Sequence, residues 1–177
     1  MKALLSLMLA ASLSAGPAWA APAHQHGVAQ LDVAVEAGRV TLDLDTPLDN
    51  LLGFERAPRT DAERQQASTA IARLKAADGL FRIDSAAGCT LAKVTLVSAA
   101  LGLSGPGGAA PADKGEHAEL TGRFEFSCKA GTRAGFIEVG LFEAFAPMKR
   151  IELQLVSPKG QMKATLNRPA SRVALVR

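Results

Sequence analysis

Three histidines and two cysteines are the side chains of this 177-residue sequence best suited to metal or redox chemistry. Two of the histidines stand in Ala21-Pro-Ala-His-Gln-His-Gly27, as His24 and His26. In an extended segment, positions i and i+2 point to the same side, so both imidazoles reach one metal ion. A copper-type amino-terminal clip is excluded for a chain starting at Ala21. That clip needs histidine third and free amide nitrogens at positions two and three, whereas Pro22 is second and His24 fourth. The plain alternative for this pair is a frayed, solvated terminus. The third histidine, His117, shares the same spacing with Glu119, and Glu116 lies beside them. Imidazoles with a carboxylate suit zinc. His24, His26, His117 and Glu119 are therefore the candidate ligands of a Zn2+ ion, with an ordinary strand-end histidine as the alternative for His117.

Catalytic patterns are missing. The sequence contains no G-x-S-x-G, no Walker-type loop and no C-x-x-C. The glycine-rich stretch 102–108 includes a proline and follows no phosphate-binding pattern. Three histidines leave little material for acid–base work near neutral pH, and no signal selects a pair of carboxylates for glycosidase chemistry. The expectation is a non-enzymatic protein.

The elements that must position these residues centre on Cys89 and Cys128, each at the outer end of a strand-like run. Residues 90–98 run out and 117–127 run back, which reads as a long antiparallel hairpin closed by a disulfide. Two reduced, buried thiols are the alternative. With the cysteines opposed, Leu91 meets Phe126, Val97 meets Leu120 and Glu119 lies opposite Ser98. That register puts Lys93 on the face of Leu91 and Val97, a conflict that a bulge or a doubly covered sheet would resolve. Between the two runs, 99–116 is a flexible loop rich in Gly, Ala and Pro.

Residues 1–20 read as a secretory signal. Lys2 is followed by an apolar run and by Ala18-Trp19-Ala20, an A-x-A cleavage site, so the mature chain is expected to begin at Ala21. No later stretch is long enough to span a bilayer. A soluble, periplasmic protein follows, in a compartment where a disulfide forms. Losing Lys2 leaves 19 Lys and Arg against 17 Asp and Glu, a formal charge of +2. That bias is too weak for nucleic acid or membrane binding. Tyrosine is absent and the one tryptophan is Trp19, so stacking platforms for single strands are poorly supplied.

In order, residues 28–36 and 40–45 alternate as a hairpin turned at Ala37-Gly38. Its polar face carries Asp32, Asp43 and Asp45, read as solvated rather than as oxygen ligands. Residues 48–54 form a short helix or packed loop, and 55–58 a connector. Thr60 and Glu63 make a capping box for a helix with an apolar stripe of Ala67, Ala70, Ile71, Leu74 and Ala77, and Gly79 suits its left-handed cap. Leu80, Phe81 and Ile83 form a short strand or packed edge. Residues 135–139 form a strand, 140–146 a short helix, 151–155 and 162–166 a hairpin, and 173–176 a last strand. The result is an α+β fold, with antiparallel sheets, one longer and one short helix, in a single domain over 21–177.

Several segments together resemble a known family. They are His26-Gly-Val-Ala-Gln-Leu31, Asn50-Leu-Leu-Gly-Phe-Glu-Arg-Ala-Pro-Arg-Thr-Asp61, Gly88-Cys-Thr-Leu91, residues 117–128, Leu141-Phe-Glu-Ala-Phe145, and residues 151–161. The chain resembles the ZrgA-type family of exported bacterial proteins associated with zinc uptake. The resemblance implies periplasmic zinc binding in support of a zinc importer, buffering the ion or assisting its delivery. Family members commonly carry a histidine-rich insert between the cysteines and often a histidine at the position of Arg56. Here 99–116 holds no histidine. His24, His26, His117 and Glu119 are the residues the resemblance carries over. The competing expectation is a metal-free interaction or scaffold module of the envelope, with 99–116 as a docking arm.

Overall fold

The computed structural model describes residues 25–105 and 118–175. The signal segment, His24, His117 and most of the 99–116 loop lie outside the described residues. In chain order the strands are β1 (Val28–Val35), β2 (Arg39–Pro47), β3 (Phe81–Ile83), β4 (Cys89–Val97), β5 (Glu119–Cys128), β6 (Phe136–Val139), β7 (Arg150–Ser157), β8 (Gly160–Asn167) and β9 (Arg172–Ala174). The helices are α1 (Asp49–Leu52), α2 (Asp61–Lys75), α3 (Ala77–Leu80) and α4 (Leu141–Ala144). The α+β class holds, as do the expected strands and both expected helices.

Six strands form one sheet in the order β4-β5-β2-β1-β7-β8, and three form a second in the order β3-β6-β9. Alternation decides which face of the large sheet is buried. Leu31, Val33, Leu42, Leu44, Phe124 and Leu153 point inward, and Gln30, Asp32, Arg123 and Gln154 point outward. The small sheet covers the inner face, and Phe81 of β3 packs on Phe124 of β5 with ring centroids 4.9 Å apart. The sheet is antiparallel except at one seam, where β1 runs parallel to β7. The whole of 36–149 separates those two strands, so no short turn forces them to run in opposite directions.

The disulfide is present between Cys89 and Cys128, which pair across β4 and β5. The register begins as expected, with Leu91 opposite Phe126. It then slips by one between Leu91 and Lys93, so that Val97 meets Thr121 rather than Leu120. This bulge moves Lys93 opposite Glu125 on the polar face and places Val94 and Leu96 across from Phe124 and Gly122 on the core face. An uninterrupted ladder would have buried the lysine.

Helix α2 carries the expected capping box, with Thr60 Oγ1 accepting from the Glu63 amide and the Glu63 carboxylate accepting from the Thr60 amide. Its end differs from the expectation. The helix stops at Ala76, and Gly79 sits inside α3 without a left-handed conformation. Ala77 and Leu80 are buried, and their burial carries the chain through another turn before β3.

Candidate metal centre

The chain leaves β2 at Pro47 and enters α1, anchored by Leu48, Leu51 and Leu52, all buried. Each such side chain contributes about 1.5–3 kcal/mol when removed from water, so this short turn is held by packing rather than by its own helical bonds. Gly53, at φ +76°, ends the turn, and its amide donates to the Asp49 carbonyl at 2.8 Å. The left-handed conformation there brings the chain back on itself and returns Glu55 toward Asp49.

On the other side, His26 precedes β1. The β1–β2 register pairs Gln30 with Asp45, Leu31 with Leu44 and so on to Val35 with Val40, partners whose numbers total 75. Residues 26 and 49 continue that series beyond the strand ends. The hairpin thus delivers His26 to the start of α1.

The three side chains meet. His26 Nδ1–H donates to Asp49 Oδ2, and the same nitrogen lies 3.5 Å from Glu55 Oε1. One ligand atom from each lies within 4.8 Å of the others. The imidazole is 67% exposed, and the carboxylates are 18% and 12% exposed, so the ring sits as an accessible rim over two sunken acids. The hydrogen bond to Asp49, its charge and that of Glu55 together raise the His26 pKa above its ordinary 6.5. A proton on the ring is therefore held where a cation is favoured. Among the described residues, none donates a hydrogen bond to the buried Asp49 Oδ1, a carboxylate oxygen with coordinating capacity.

One imidazole and two carboxylates fit zinc, which takes nitrogen and oxygen ligands at about 2.0–2.2 Å and leaves a fourth position for water or a further ligand. Oxygen-only ions such as calcium are less suited to a set containing imidazole.

Of the sequence candidates, His26 is in this group. Glu119 is not among the three; it opens β5 opposite Pro47, and its carbonyl accepts from Ser98 Oγ at 2.7 Å. His24 and His117 lie outside the described residues. Ala118, which follows His117, is fixed beside the centre: its amide donates to the Glu55 carbonyl at 3.3 Å and its carbonyl accepts from the Leu48 amide at 2.8 Å. Asp49 and Glu55 were not anticipated. The signal that would have found Asp49 is the hairpin register itself, carried past the strand ends; Glu55 follows only from the turn at Gly53.

Arg56, next in sequence to Glu55, is committed elsewhere. Its guanidinium makes a two-pronged pair with Glu63 at 2.7 and 3.0 Å and lies over the Phe54 ring, 5.0 Å from the centroid. Asp32, Asp43 and Asp45 line a concavity of about 480 Å³ on the outer face of the large sheet, together with Lys93 and Arg123. None of His26, Asp49 and Glu55 lines it, and Arg123 grips Asp43 at 2.7 and 3.0 Å. This is a mixed-charge surface rather than a ligand cluster. Among the described residues, no helix is long and apolar enough to cross a membrane.

No curated protein matches the chain. The family described as "ZrgA family zinc uptake protein" matches residues 23–175. With the match extending across both sheets and every residue of the centre, the chain belongs to the ZrgA family of zinc uptake proteins.

Proposed function

We propose that this protein is an exported, non-enzymatic zinc-binding protein of the periplasm, which buffers zinc or assists its delivery to an importer. The observation that carries the reading is the convergence of His26, Asp49 and Glu55, with a buried Asp49 oxygen to which none of the described residues donates. Membership of a zinc uptake family supports zinc as the ion, and a disulfide agrees with an oxidising compartment.

Zinc here is cargo. A centre with one exposed imidazole and room for another ligand suits an ion that must be taken up and released, unlike a closed structural site with four protein ligands. Binding requires the His26 proton to leave, so loading is tied to pH. His24, His117 and Glu119 remain candidates for the fourth position on the ion.

Calorimetric titration of zinc into untagged residues 21–177 tests the reading. One ion should bind with micromolar or tighter affinity, and His26→Ala should abolish that binding. Separate His24→Ala, His117→Ala and Glu119→Gln variants show which residue, if any, takes the fourth position. Unchanged affinity in the His26 variant would reject the centre.

A further inference from the structure

We propose that Asn50 is a positioning residue for this centre, its carboxamide holding the His26-bearing turn against α1 so that the ring stays over Asp49 and Glu55. The inference rests on the zinc reading above.

The His26 ring is largely exposed, and its place beside Asp49 is set in part by the backbone that carries it. Its direction depends on the backbone that follows, at Gly27 and Val28. Asn50 holds both. Its Oδ1 accepts from the Gly27 amide at 2.7 Å, and its Nδ2 donates to the Val28 carbonyl at 2.8 Å and to Thr46 Oγ1 at 2.9 Å. Asn50 is fully buried, and the structure supplies these partners on both sides of its amide.

The need for this clamp can be read from the chain. Carried on beyond Gln30 and Asp45, the hairpin register sets Val28 opposite Pro47, which has no N–H to give. The Asn50 side chain supplies a donor to the Val28 carbonyl instead, acting as a substitute for strand backbone. On the opposite side, the Gly27 carbonyl accepts from the amides of Lys149 and Arg150 at 2.8 and 2.9 Å. Gly27 itself is at φ +80°, a conformation that turns the chain sharply between the ring and β1. Asn50 and the start of β7 thus grip one residue from two directions, and the imidazole is its immediate neighbour. Because Asn50 adjoins Asp49, the clamp also ties ring and carboxylate to the same turn of helix.

The test compares wild type, His26→Ala, Asn50→Ala and Thr46→Val by zinc titration against a chromophoric chelator at 25 °C, with folding of each checked by near-ultraviolet circular dichroism. Cobalt(II) absorption spectra report ligand geometry, and hydrogen exchange reports the Gly27 amide. The expected result is at least tenfold weaker zinc binding in folded Asn50→Ala, with an altered cobalt spectrum and loss of Gly27 protection. Thr46→Val, which removes one partner of the amide, should weaken binding two- to fivefold, and it decides the matter if Asn50→Ala does not fold. If His26→Ala loses zinc while the folded Asn50 and Thr46 variants bind as tightly as wild type, the positioning role is overturned and the zinc centre stands. If wild type binds no zinc, or His26→Ala binds as wild type does, the zinc reading fails and this inference falls with it.

Discussion

His26 and Asp49, 23 positions apart in the chain, are joined by a hydrogen bond from Nδ1–H to Oδ2. Neither position is chemically unusual alone. The β1–β2 hairpin makes them neighbours, and the Gly53 turn then adds Glu55.

Removing either acid should weaken zinc binding without unfolding the protein. Asp49→Asn and Glu55→Gln keep shape but lose the charge that attracts the ion. Each is expected to lower affinity by about one to two orders of magnitude, comparable to the loss of an important metal-site partner. Competition titration checks this, with circular dichroism as the folding control.

Zinc binding should release protons near neutral pH. The neighbouring carboxylates raise the His26 pKa, so zinc must displace a ring proton over a pH range extending higher than at an isolated histidine. In the metal-free protein the same shift favours the fold. That contribution is fully present below the unfolded value of 6.5 and is lost as pH rises through the higher folded value. Calorimetry in buffers of different ionisation enthalpy should show net proton release on zinc binding at pH 6.5. Affinity should fall steadily as pH is lowered.

How much of this was legible beforehand depended on the range of each signal. Alternation of Leu31, Val33 and Val35 with polar residues is a local pattern, and it marked the hairpin correctly. The Thr60 and Glu63 cap is local too. The centre needed a non-local step, from hairpin register to the residues just outside it. Asp49 sits in Leu48–Phe54, which has no periodicity and reads as a short helix or packed loop, and Glu55 opens the 55–58 connector, so neither carries a local mark. The bulge after Leu91 was legible only as a conflict over Lys93. Its resolution required knowing which face of β5 is buried, and the covering small sheet decides that. The parallel seam between β1 and β7 had no local mark at all.

Reducing the disulfide should lower stability but leave metal affinity in the folded protein nearly unchanged. Cys128 lies at the turn end of the hairpin, where its amide donates to the Gly38 carbonyl, and His26 lies at the open end. Eight residues of β1 separate the two ends, about 25 Å at the usual strand rise. The cysteines are 39 positions apart, and opening such a loop costs about 3–4 kcal/mol in the chain-entropy account. Urea unfolding of a Cys89→Ala/Cys128→Ala variant measures that cost, and zinc titration of the same variant measures the independence.

Acid should loosen the start of α2. The Arg56 side chain and the Arg59 and Thr60 amides hold the Glu63 carboxyl down to about 2, from an ordinary 4.5. The stability it contributes is therefore present above about pH 4.5 and is lost as pH falls toward 2. Glu63→Gln should flatten the acid limb of the unfolding curve over that window. Thr60→Ala, which removes the other half of the cap, should cost about 1 kcal/mol at neutral pH.

Gly131→Ala should be strongly destabilising. A β-carbon there would stand 2.1 Å from the Glu36 carbonyl oxygen, and the Gly131 amide donates to the Ala37 carbonyl at 2.7 Å. The β1–β2 turn and the turn after β5 cannot separate without losing that bond. A cost of about 2–3 kcal/mol is expected, the upper part of the range for overpacking, and urea unfolding reads it directly.

The most direct measurement is a crystal structure of residues 21–177 grown with zinc, with anomalous data collected on both sides of the zinc absorption edge. A single strong peak should appear within bonding distance of a His26 ring nitrogen and of carboxylate oxygens from Asp49 and Glu55. A protein saturated with zinc whose peak lies elsewhere, with His26 still hydrogen-bonded to Asp49, would contradict the account.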